Sequence, residues 1–321
     1  MHKRATTDHK WRNLGHTLLL IGGMALLLAL ISELLFGAGV WPWVFVGVIL
    51  VMSTLPDISP HWLLRLYQAR PIDPDAAPDL SLLMEEISQR SGVHPTPTLY
   101  WIPSRASNAF SVGSRKEAAI ALTDGLLRLL NPRELAGVLA HETSHIANND
   151  MRLMNLADVI SRLTHMLSVI GILLALISLP LVLFGVAPLP LPGLFLLIAA
   201  PTLSALLQLG LSRVREFQAD LSAVHITGDP EGLASALGKI EHRQSSLWQR
   251  LLLPGYRDPE PSLLRTHPDT AERVRRLLAL QDEAETLARP IFPGIGKNTR
   301  LPDSFHTLRS PRHRLFFRTW H

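Results

Sequence analysis

Four long apolar stretches constrain this chain more than any other feature. They run from about Thr17 to Phe36, Val40 to Leu55, Met166 to Val186 and Leu191 to Leu211. About 20 helical residues cross a bilayer core, and each stretch approaches or reaches that length. Ser32 and Glu33 interrupt the first only near its end, Trp41 and Trp43 open the second where interfacial aromatics belong, and Pro201 predicts a kink in the fourth. Buried core helices of a large soluble protein are the alternative, disfavoured because these stretches carry almost no polar face for solvent. The 321 residues are 47% hydrophobic and 18% charged, which argues against disorder and for a membrane protein.

The linkers pair the stretches. Gly37–Gly39 joins the first two, Ala187–Pro190 joins the last two, and neither carries a charge. Lys3, Arg4, Lys10 and Arg12 precede the first stretch, Arg65 and Arg70 follow the second, Arg162 precedes the third, and Arg213 and Arg215 follow the fourth. Positive charge gathers on the cytoplasmic side of membrane proteins, so both termini and the middle segment are expected there. A cleaved signal peptide is the competing reading of the first stretch: the run is longer than expected for one, but Gly37-Ala38-Gly39 offers small residues at its end. Glu33 lies close enough to the end of its stretch to be interfacial rather than an intramembrane functional acid.

The rest of the chain divides into two polar segments, about 56–165 and 212–289, together the size of one domain. Leu80, Leu83, Met84 and Ile87 have helical spacing within Asp79–Arg90, which Gly92 closes. Thr98–Ile102, Asn108–Val112 and Ala118–Leu122 read as strands. Asn131-Pro132-Arg133-Glu134 is a helix start, with Asn131 as cap, Pro132 in the first position and Glu134 reaching back. A helix from Asp150 to His165 leads into the third stretch, and the fourth continues through Arg213–Ile226 to Gly228-Asp229-Pro230. Two further helices are expected near Glu231–Glu241 and Asp269–Glu283. The fold class is thus mainly α with a small β-sheet. After Arg289 the chain turns basic, through Lys297, Arg300, Arg309, Arg312, Arg314 and Arg318, and loose order is expected there. Anionic lipid, with Phe316, Phe317 and Trp320 at the interface, is the alternative.

The capped helix contains His141-Glu142-Thr143-Ser144-His145, an HExxH pattern. Histidines four apart project from one helix face and can bind one Zn²⁺, and Glu142 can face a water held by the same ion. Zinc acidifies that water, and the glutamate moves its proton to the leaving amine. The alternative is a pair of solvent-facing histidines. The chain has no cysteine, so a third ligand must be histidine, aspartate or glutamate, and thiol nucleophiles and iron–sulfur clusters are excluded. The best candidate lies in Arg215-Glu216-Phe217-Gln218-Ala219-Asp220. Glu216 can bind the metal while Asp220, four residues on, accepts the outer N–H of a ligand histidine. An ion pair with Arg213 or Arg215 is the alternative for Glu216.

HETSHIANND, then two apolar stretches, then REFQAD, then Thr266-His267-Pro268, resembles the HtpX-like membrane zinc metalloproteases, gluzincins related to the prenyl-protein processing proteases. The likeness extends from the first stretch to about Arg276. Ser107-Asn108-Ala109-Phe110 resembles the strand of that family with an Asn-Ala-Phe motif, and Ala119–Leu127 resembles the strand and turn before its active-site helix. Thr143 stands where the family often has an apolar residue. The resemblance implies an α+β zincin-like catalytic domain with four transmembrane helices in two hairpins. In this chain they would be residues 17–55 and 166–211, with a cytoplasmic segment 1–16, catalytic parts 56–165 and 212–289, and a tail 290–321.

It also implies a zinc metalloendopeptidase of the bacterial inner membrane, facing the cytoplasm, that removes misfolded or unassembled membrane proteins. His141, His145 and Glu216 would hold one zinc, Glu142 would be general base and acid, and Asp220 would orient a ligand histidine. His267 would stabilise the tetrahedral intermediate, Arg273 would help hold the cleft together, and Asn108 would lie on a strand that pairs with extended substrate. Protein or peptide substrates and the lipid bilayer are the expected partners, and nucleic acid is not. His94, His225, His242 and His306 read as surface or core residues. Two rival functions remain. An intramembrane-cleaving protease would carry HExxH inside an apolar span, whereas Arg133, Glu134, Asn149 and Arg152 flank it here. A metal-binding scaffold would need the ligands but not Glu142.

Overall fold

The computed structural model describes residues 2–54, 60–186, 191–251, 270–281 and 291. They form two compact units, one of residues 1–56 with 151–216 and the other of residues 57–150 with 217 onward.

The first unit holds the apolar stretches. Helix α1 spans His2–Phe36 and α2 spans Trp41–Thr54. Among the described residues, three helical segments are long and apolar enough to cross a membrane: Leu14–Phe36, Asp150–Ile177 and Leu191–Thr227. The second stretch forms only the 14-residue α2, so three of the four expected spans meet the length criterion. Large apolar side chains point outward, with Leu19 72%, Trp43 75% and Phe195 73% exposed. Met24, Leu28, Ile31 and Leu211 turn inward, and small and hydroxyl residues join them. Ser32, Thr164, Ser168 and Ser204 are buried, and a Cβ on Gly23 would stand 3.3 Å from Leu207. Glu33 closes the turn between α1 and α2. Its Oε1 accepts the Gly39 N–H at 2.8 Å and its carbonyl accepts the Gly37 N–H at 2.9 Å. Both glycines have positive φ, the conformation a side chain resists.

The second unit has a conventional core. After α3 (Pro60–Leu66) come strand β1 (Arg70–Pro71), α4 (Pro78–Ser91), β2 (Thr98–Ile102), β3 (Ala109–Ser114) and β4 (Glu117–Thr123). The sheet order is β1-β2-β4-β3, with β2 and β4 parallel and β3 antiparallel to β4. Central β4 buries Ala119, Ile120, Ala121 and Leu122, whereas β3 lies at an edge. The expected helical face of α4 packs there too: Leu80, Met84 and Ile87 share a core with Leu99, Ile120, Leu135 and Leu139.

Helix α5 (Asp124–Leu129) is capped by Thr123, whose Oγ1 accepts the Leu126 N–H. Helix α6 spans Pro132–Ala147 and begins as its sequence predicts. Asn131 Oδ1 accepts the Glu134 N–H and Glu134 Oε2 accepts the Asn131 N–H, each at 2.9 Å. Glu134 also accepts the Ser235 hydroxyl at 2.6 Å and pairs with Lys239 at 2.7 Å, which binds α6 to α10 (Pro230–Leu251). Gly137 lets the two helices approach: a Cβ there would lie 3.0 Å from Leu233 backbone. Helix α7 (Asp150–Ile177) stops before the expected end of the third stretch, and a short α8 (Leu179–Leu183) follows. Helix α9 (Leu191–Thr227) runs through Pro201 without ending, and α11 spans Thr270–Ala279.

Candidate metal centre

Helix α6 places His141 and His145 one turn apart, with ring centroids 4.7 Å apart and ring planes at 89°. Their Nε2 atoms are 3.2 Å from each other. Glu216 joins them from α9. One ligand atom from each of His141, His145 and Glu216 lies within 4.8 Å of the others, the one such grouping among the described residues. Glu216 stands one turn before Asp220 on the same continuous helix, so the helix that delivers the ligand also delivers its neighbour. His141 is 6% exposed and the His145 side chain 16%, so the two rings do not form a solvent-facing pair.

Both outer ring nitrogens meet a carboxylate. His141 Nδ1 is 3.0 Å from Asp220 Oδ1, and His145 Nδ1 is 2.8 Å from Asp150 Oδ2. The Asp220 carboxylate is also gripped by Arg273, whose Nε donates to Oδ2 at 2.8 Å and Nη2 to Oδ1 at 2.6 Å. Asp220 and Arg273 are each 4% exposed. A buried charge is tolerated when it is paired and its hydrogen bonds are satisfied, and this two-pronged pair meets both conditions.

The donor set fits a metal ion. Each Nδ1 lies at bonding distance from a carboxylate and therefore carries the ring proton. In neutral rings the two Nε2 atoms then present lone pairs to one another across 3.2 Å, a repulsion that a shared cation removes. Two nitrogens bound tetrahedrally at zinc distances stand about 3.3 Å apart, close to the spacing found. Imidazole nitrogen with carboxylate oxygen suits zinc and several other divalent ions.

Thr143 and Ser144 are buried, but their hydroxyls donate to the Leu139 and Ala140 carbonyls at 2.7 Å, so the polar Thr143 leaves no unmet hydrogen bond. Glu142 is half-buried. Asn108 immediately precedes edge strand β3. Its N–H donates to Thr123 Oγ1 and its carbonyl accepts from that hydroxyl, both at 2.9 Å. His94 and His242 are exposed and His225 is half-buried, and none belongs to the grouping. His267, His306 and the basic tail lie outside the described residues.

Sequence reasoning had singled out Arg273 but not its grip on Asp220, and it did not assign Asp150 at all. Asp220 is legible because it shares a helix face with Glu216. Asp150 is not, because it follows a break in the helix.

A helix-borne pair of histidines, a buried glutamate and long apolar helices together define a membrane metalloprotease. Residues 74–281 match the model of peptidase family M48, and the chain belongs to that family. It is 37% identical over 237 residues to a protease HtpX homolog of Acaryochloris marina, covering 69% of this chain and 78% of that protein. A protease HtpX homolog of Paraburkholderia phytofirmans is 33% identical over 240 residues, covering 69% and 81%. The crystal structure of S. mikatae Ste24p matches with TM-score 0.46 and 22% identity over 86% of this chain and 67% of that one.

Proposed function

We propose that this chain is a membrane-anchored zinc endopeptidase in which Glu142 activates the attacking water. The observation that carries the reading is the facing Nε2 pair of His141 and His145, 3.2 Å apart, with Glu216 beside it. These three residues would hold the ion. Bound zinc would supply a Lewis acid that acidifies a water and polarises the scissile carbonyl.

Glu142 follows the first histidine on a rigid, capped helix. Its carboxylate takes a proton from the water as the water oxygen attacks the carbonyl carbon, and returns it to the amide nitrogen as the C–N bond breaks. Asp220 and Arg273 hold His141 with its Nδ1 proton outward, so Nε2 stays a donor to the ion. His267 would donate to the developing oxyanion. Edge strand β3, starting beside Asn108, offers main-chain groups to an extended peptide. An unfolded or unassembled chain can adopt that form, and a folded one cannot. Membrane proteins are the substrates this reading favours.

In the same reading α2 completes a fourth span, so residues 17–55 and 166–211 form two hairpins in the bacterial inner membrane. Both termini and the catalytic parts, 56–165 and 212–289, face the cytoplasm. The basic residues flanking the stretches support this orientation.

Metal analysis of the purified chain tests the ligand set. His145→Phe and Glu216→Gln should each lose zinc on dialysis and lose proteolysis with it. Full zinc retention by both variants would overturn the assignment.

A further inference from the structure

We infer that Asp150 is a positioning residue of the metal centre, and that the break between α6 and α7 delivers it to His145. The inference rests on the proposed zinc site and adds to it a second orienting carboxylate.

Asp150 follows His145 by five residues. On an uninterrupted helix that spacing would place it about 140° around the axis, away from the ring. The helix is interrupted. Helix α6 ends at Ala147, the Asn148 N–H closes on the Ser144 carbonyl at 3.0 Å, and the Asn149 N–H closes on the Ile146 carbonyl at 3.2 Å. Asn149 then adopts φ +54°, a left-handed conformation that asparagine tolerates better than most residues. Helix α7 then starts at Asp150, with the carboxylate 2.8 Å from His145 Nδ1.

Asp150 is 3% exposed and its side chain 4%. An aspartate placed only to favour the start of a helix would work as well in solvent, where caps and first-turn acids usually sit. Burial against an imidazole nitrogen instead matches a carboxylate that fixes the ring's tautomer and direction. Each ligand histidine thereby has its own carboxylate, Asp220 for His141 and Asp150 for His145. The two carboxylates come from α9 and α7, the helices that bear the second pair of apolar stretches.

The test uses the full chain in detergent, with zinc affinity measured by competition with a chromophoric chelator. Asp150→Asn keeps the shape and a hydrogen-bond acceptor but removes the charge. It should keep the wild-type circular dichroism and melting temperature while zinc affinity falls about 10–100-fold. The visible absorption of the cobalt-loaded protein should change with it. Unchanged zinc affinity in a folded Asp150→Asn protein would show Asp150 to be a helix-start residue only, and the inference would fail.

Two further variants cover a folding defect. Asn149→Gly keeps the left-handed turn and should bind zinc as wild type does, whereas Asn149→Val strains it and should weaken binding. Equal affinities in those two would also overturn the inference. His145→Phe separates the levels: if it binds zinc normally, the site itself is misassigned, whereas loss of zinc there with none in Asp150→Asn sinks only the role of Asp150.

Discussion

The two units of this chain treat polarity differently. In the apolar unit many large side chains face outward, and Ser32, Thr164, Ser168 and Ser204 are buried alongside Met24, Leu28, Ile31 and Leu211. In the other unit Leu80, Met84, Ile120 and Leu139 are buried, and deeply buried charge gathers beside the two histidines and at the α6 cap, in Asp150, Asp220, Arg273 and Glu134. Lipid explains the first pattern: hydrocarbon rewards apolar exteriors, and buried small and hydroxyl residues let helices pack closely beside the larger apolar ones. Water explains the second. A domain in water can bury ionised groups only where partners compensate them, and such places are enriched in functional sites.

The largest test of this contrast is at Arg273. Arg273→Met leaves Asp220 buried without its bidentate partner, and should lower stability by about 3–5 kcal/mol, read as a fall in melting temperature in detergent. A smaller effect separates the two exteriors. Leu173, 53% exposed on α7, and Leu82, 64% exposed on α4, look equally accessible. Leu173→Lys should cost about 2.5–3.5 kcal/mol of membrane insertion. Leu82→Lys should change stability by no more than about 0.5 kcal/mol. Equal tolerance in an insertion assay and a melting curve would erase the distinction between the units.

Glycine gives the next comparison. Gly137→Ala pushes a Cβ into Leu233 backbone and should cost about 1–3 kcal/mol. Gly22 on α1 has nothing within 4 Å of its would-be Cβ, so alanine there should be neutral or mildly stabilising. The smallest expected effect is at the α6 cap, where Asn131→Ala should cost about 1 kcal/mol in the same melting experiment.

Much of this was legible because it is local or periodic. The α6 start announces itself in Asn131-Pro132-Arg133-Glu134, α4 in the spacing of its leucines, and β4 in an unbroken apolar run. The histidine pair and Glu216–Asp220 are legible because an i, i+4 spacing on a helix is already geometry. Other features depend on reversals or long-range neighbours. Helix α3 is 7 residues and β1 is 2, too short for a period to show. The third apolar stretch reads as continuous, yet its helix stops at Ile177 before Ser178-Leu179-Pro180. Asp150 meets His145 only because Asn149 turns left-handed, which sequence spacing on a helix argues against. Glu33 reads from the sequence as lying near the end of its stretch, but its bond to the Gly39 N–H across the turn does not show there.

The central claim is that His141, His145 and Glu216 hold the ion while Glu142 moves the proton. Glu142→Gln removes the proton acceptor and leaves every proposed ligand in place. The direct measurement is zinc content together with the rate of cleavage of an unfolded substrate, on wild type and Glu142→Gln side by side. The account predicts wild-type zinc in both proteins and a cleavage rate lower by about 10²–10⁴-fold in the variant. Cleavage at the wild-type rate by a zinc-loaded Glu142→Gln protein would contradict it.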